Sequence, residues 1–174
     1  AAPAGAQTAP VDPLGTVGSW VGKFAAISAE PTVAAAACGP QLGNAVGAAR
    51  DAATARTAVT QIRPCLERIR GAYRRSAESL AQFGPAPAEV QAVAPFDMNR
   101  LIEDQRRQFV AALGYMDNLE AFLATMAAND RAGAARLLPK VRSGGAVLVD
   151  GTILQLRAYQ GVARFGFTRN AIEL

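Results

Sequence analysis

VTQIRPCLERIRGAYRRSAESLAQF, residues 59 to 83, carries the pattern that decides the fold. Val59, Ile62, Leu66, Ile69, Tyr73, Ser76, Leu80 and Phe83 follow one another at alternating intervals of three and four. Side chains so spaced return to the same side of an α-helix, so they form one continuous stripe on one long helix. That helix is predicted from about residue 51 to 83, and Gly84-Pro85-Ala86-Pro87 ends it.

Working outward toward the C-terminus, a connector reaches Pro95 and Asp97 is placed to cap the next helix. There Ile102, Gln105, Phe109, Ala112, Met116, Leu119, Leu123 and Met126 repeat the spacing over residues 97–128, and Asn129-Asp130 closes that helix and caps another. The last stripe, Leu138, Val141, Gly145, Leu148, Thr152, Gln155, Tyr159, Val162 and Gly166, predicts a helix over residues 131–165, with Pro139 marking a kink or a fresh start. Asp150-Gly151 lies between β-branched runs and is a strong hairpin signal for residues 146–156. Helix is preferred, because a lone hairpin has no sheet to join and the stripe passes through unbroken.

Toward the N-terminus, Leu14, Val17, Trp20, Val21, Phe24 and Ile27 predict a first helix ending near Glu30-Pro31. A short Ala-rich turn or two over residues 33–38 then meets a break at Gly39-Pro40. Residues 1–13 hold almost nothing to bury and are expected to be a disordered leader. The fold class is therefore all-α, an antiparallel four-helix-bundle-like single domain over residues 14–174.

A chain of 174 residues, 51% apolar, suits one core. Its longest uncharged stretch, residues 31–49, is Ala/Gly-rich with two prolines, which is not a membrane span. The small-residue start, Ala1-Ala2-Pro3-Ala4-Gly5-Ala6, is of the kind left by signal-peptide cleavage and points to a periplasmic or secreted protein. Cys38 and Cys65 suit an oxidising compartment. One straight helix between them would hold them about 40 Å apart, whereas a disulfide needs Cα atoms within about 7 Å. A bond therefore requires the chain to double back near Arg50 to Ala53 or to leave helix around Gly43-Asn44-Gly47; the alternative is two buried thiols.

Chemistry is sparse. The chain has no histidine, which removes the usual zinc, di-iron and haem ligand sets and His-activated nucleophiles, and no cofactor or metal is expected. Ser19 and Lys23 could form a Ser-Lys dyad but lack an oxyanion motif, and the pairs Glu103-Asp104 and Asp117/Glu120 read as surface charges. Enzyme activity is accordingly not expected. Seven Arg against two carboxylates between Arg50 and Arg75 place Arg63, Glu67, Arg70, Arg74 and Glu78 on the face opposite the stripe, the solvated side of a bundle helix. Nucleic acid lacks the stacking aromatics it would need, and a membrane surface lacks an exposed aromatic face. Tyr73, Gln105, Thr152, Gln155 and Tyr159, together with Ser76, bring polar groups into the stripes. They form either a register-fixing polar layer or the lining of a small-molecule pocket between helices. The expectation is a noncatalytic module that binds a small molecule or a protein partner, the competing one a structural adaptor in an envelope complex.

If the stripes are core, Leu66→Ala and Leu119→Ala will each lower stability by about 2–5 kcal/mol, and Arg74→Ala by under about 1 kcal/mol. Chemical denaturation giving equal, small losses at all three would refute the bundle.

Overall fold

A computed structural model describes residues 13–94 and 97–145. The expected leader, the helix-or-hairpin segment 146–156 and the remainder of the last helix lie outside the described residues. Helices α1 (Pro13–Ala48), α2 (Ala52–Gln82), α3 (Ala88–Val93) and α4 (Met98–Ala127) follow in order, and α5 occupies residues 131–145. No strand occurs among the described residues.

The turn between α1 and α2 is short and sharp. Asp51 starts α2 with a capping box in which its carboxylate accepts the Thr54 N–H and hydroxyl, both at 2.8 Å, while Thr54 Oγ1 accepts the Asp51 N–H at 3.1 Å. Those bonds, the backbone N–H of Thr54 foremost, hold the Asp51 carboxyl below the usual carboxylate range. At the other end Gly84, with φ of 74°, takes the left-handed conformation that lets the chain leave α2. Asn129, at φ 59°, does the same after α4. Asp130 then accepts the Gly133 N–H at 2.9 Å and starts α5.

The long helices alternate in direction. α1 and α2 run antiparallel, joined by Cys38–Cys65, by Glu30 to Arg75 at 2.6 Å and by Trp20 against Phe83 with ring centroids 5.0 Å apart. α4 lies antiparallel on α2, with Tyr73 edge-on to Phe109 and Arg56 Nε donating to the Ala127 carbonyl at 3.1 Å. α5 returns along α4, its Gly133 at Thr125 and its Gly144 at Tyr115. Gly144 permits that approach, since a Cβ there would stand 2.9 Å from the Tyr115 ring.

Two apolar clusters fill the bundle. The upper one gathers Cys38, Ile62, Cys65, Leu66, Ile69, Met116, Leu119 and Leu123. The lower one gathers Trp20, Phe24, Leu80, Met98, Ile102 and Phe109, with Val90 of α3 closing its foot. Tyr73 touches both. The α2 and α4 stripes read from the sequence are buried over most of their length: Leu66 is 1% and Leu119 5% exposed.

The first helix differs from its expectation. Neither Glu30-Pro31 nor Gly39-Pro40 ends it; α1 runs through both prolines to Ala48. Proline lacks the N–H that would reach back four residues, so Pro31 frees the Ile27 carbonyl. Ser76 Oγ of α2 donates to that carbonyl at 2.8 Å. The neighbouring helix thus supplies the hydrogen bond that the proline removes, and Pro31 itself is fully buried against it. Ser76, placed in the polar layer from its position in the stripe, serves this carbonyl.

Cys38 and Cys65 form a disulfide with Cα atoms 5.6 Å apart. The chain doubles back at residues 49–51, the first of the two routes open to it. Closing a loop across a separation of 27 residues restricts the unfolded chain and stabilises the bundle by about 3–4 kcal/mol on the chain-entropy account.

Ser76→Ala, by leaving the Ile27 carbonyl unpaired, is expected to lower stability by about 1–3 kcal/mol. In a Pro31→Ala background, where residue 31 regains its N–H, the same change should cost much less. A double-mutant cycle in urea reads the difference; strict additivity would mean that serine and proline do not compensate.

Candidate functional site

α1 and α4 both rest on α2, and an apolar groove of about 510 Å3 runs between them. Leu66, Ile69 and Tyr73 of α2 form its floor. Ala112, Tyr115, Met116 and Leu119 of α4 make one wall. The other is Ala35, Gly39, Leu42, Gly43, Val46 and Gly47 of α1. Ala35, Gly39, Gly43 and Gly47 recur every fourth residue, so this wall is largely bare helix backbone, and a Cβ at any of the three glycines would meet nothing within 4 Å.

The polar groups at the groove are the phenols of Tyr73 and Tyr115. Burial pushes both above the ordinary tyrosine pKa, so they remain neutral donors and acceptors throughout the physiological range. Tyr73 is held by its edge-on contact with Phe109, ring centroids 5.4 Å apart. Tyr115 is held by Gly144 of α5.

Of the five expected ligand contacts, the structure places Tyr73 in the groove. Gln105 is buried, 4% exposed, but does not line it; its amide meets Gln108 Oε1 at 3.4 Å. Thr152, Gln155 and Tyr159 lie outside the described residues. Tyr115 and the glycine wall were missed. The fourfold spacing of small residues was legible, but reading Gly39-Pro40 as a break dissolved the helix on which that spacing has meaning.

Several charged groups are engaged with one another. Arg70, expected on a solvated face, is only 14% exposed at its side chain and bridges α2 to α4, reaching Asp117 at 2.9 Å and Glu120 at 2.7 Å. Its position next to Ile69 turns it toward α4 rather than away. Glu103 pairs with Arg106 and Arg107, and Asp104 with Arg100. Ser19 and Lys23 are both exposed. Among the described residues, no cluster of His, Cys, Asp and Glu could hold a metal ion, and no helix is long and apolar enough to cross a membrane.

Comparison with protein-family models, with curated proteins and with solved structures gives no match. The groove is interpreted from its own geometry.

A tyrosine whose folded pKa is raised keeps its proton longer in the folded state than in the unfolded one, so its contribution is complete below about pH 10 and is lost as pH rises through the folded value. Stability should therefore fall at alkaline pH, and Tyr73→Phe with Tyr115→Phe should flatten that fall. Urea denaturation between neutral and alkaline pH checks this; an unchanged slope in the double variant would place both phenols in solvent.

Proposed function

We propose that this chain is a noncatalytic binding module working outside the cytoplasm, and that the groove between α1 and α4 takes an apolar small molecule. The groove itself carries the reading. Its volume of about 510 Å3 falls within the roughly 300–1,000 Å3 typical of ligand sites, which combine apolar walls with a few fixed polar groups. Burying an apolar ligand against Leu42, Leu66, Met116 and Leu119 removes hydrocarbon from water on both partners, worth about 25 cal/mol per Å2. The bare wall of α1 lets a ligand lie close to backbone, and the two phenols orient whatever polar end it has.

Catalysis is not part of the proposal, because the candidate carboxylates Glu103, Asp104, Asp117 and Glu120 face arginines at ion-pair distance and Ser19 and Lys23 stand in solvent. The disulfide supports an oxidising compartment. An adaptor role in an envelope complex is the second reading. Val33 and Val110, 67% and 60% exposed, are the large apolar side chains that favour it.

Native mass spectrometry of the protein purified from its own host is expected to show a noncovalent small-molecule adduct that is lost on denaturation and absent from Ala35→Trp, whose indole fills the groove. A bare wild-type chain from the host, co-purifying instead with a protein, would replace this reading with the adaptor.

A further inference from the structure

We propose that the outward face of α5 docks on an anionic phospholipid surface, held there by Arg131, Arg136, Lys140 and Arg142. Helix α5 carries no carboxylate over residues 131–145, and these four cations are all exposed. Its inner face is already taken: Gly133 lies at Thr125, Gly144 at Tyr115, and Val141 packs on the cluster of Leu66, Met116 and Leu119. The cations are therefore turned away from the bundle.

Elsewhere in the bundle, arginines are set against carboxylates. Arg63, Arg70, Arg75, Arg100, Arg106 and Arg107 each reach an Asp or Glu. No described carboxylate lies within ion-pair distance of Arg131, Arg136, Lys140 or Arg142. Asp130, the nearest in sequence, is occupied in accepting the Gly133 N–H at 2.9 Å.

Helical geometry sets the four in two rows. Arg136 and Lys140 lie one turn apart along one edge of the exposed arc, and Arg131 and Arg142, about three turns apart, along the other. Between the rows stand Ala132, Ala135, Pro139 and Ser143, all exposed and all small. A protein partner would need an apolar anchor or fixed polar contacts at the centre of this face, and small residues supply neither. Laterally mobile phosphate headgroups need only charge, and long cationic side chains flanking a low centre reach down to them. Residues 131–145 include no aromatic to enter the acyl region, so the contact is peripheral and sensitive to salt. It lies on the side of α5 away from Tyr115 and does not depend on the groove's ligand.

Co-sedimentation of the full chain with vesicles tests this. Vesicles of equal parts phosphatidylglycerol and phosphatidylcholine should bind the wild-type protein at least about tenfold more tightly than phosphatidylcholine alone, and about 1 M salt, where the Debye length is about 3 Å, should abolish the difference. Each cation near such a surface raises binding roughly fivefold, so Arg131→Gln, Arg136→Gln, Lys140→Gln and Arg142→Gln combined should lower it by about a hundredfold or more. The same loss of charge at Lys23, Arg68, Arg74 and Arg106, exposed on other helices, should lower it by less than about tenfold. Equal binding to both vesicles, binding that survives salt, or equal losses in the two variants would each overturn the proposal. So would retention by an acidic protein, and not by vesicles, that depends on the same four cations. The vesicle and salt comparisons use the wild-type chain, so they decide the matter even if the α5 variant does not fold.

Discussion

The bond from Ser76 to the Ile27 carbonyl is the point on which the arrangement of helices turns. α1 contains two prolines and many glycines and has little intrinsic reason to be one helix. It is continuous because α2 repairs its ladder at Pro31 and the disulfide fastens it again at Cys38. With α1 and α4 both fixed to α2, the space between the two outer helices is left open along part of its length, and that space is the groove.

Most of the architecture was legible because α2 and α4 are strongly amphipathic. In both, the apolar spacing, the starts near Asp51 and at Asp97 and the breaks at Gly84 and Asn129 agree with one another. Agreement between local signals of this kind is what makes an element readable. α1 failed the same reading for a physical reason. Proline and glycine are local signals, whereas the hydrogen bond and the disulfide that override them come from residues 49 and 27 positions away.

The site was legible in proportion to how far it depended on single stripes. Tyr73 lies on the α2 stripe, and the structure puts it at the groove. Tyr115 stands just before Met116 in the α4 stripe, and its place in the groove depends on how α1 and α5 approach, which periodicity does not encode. Arg70 shows the same limit in charge: the residue spacing gives its side of α2, but only the packing of α4 brings Asp117 and Glu120 to it. Gln105 was read as interior and is buried, but it lies off the lining of the groove, because one stripe passes through two clusters.

The aromatic arrangement has a spectroscopic consequence. The chain contains one tryptophan, and Trp20 sits at the foot of the bundle, stacked on Phe24 and tilted against Phe83. Its indole is buried in the lower cluster, while the groove is bordered by two tyrosines of the upper half. Indole fluorescence therefore reports on one place in the molecule, the seam where α1 meets the end of α2, and not on the groove.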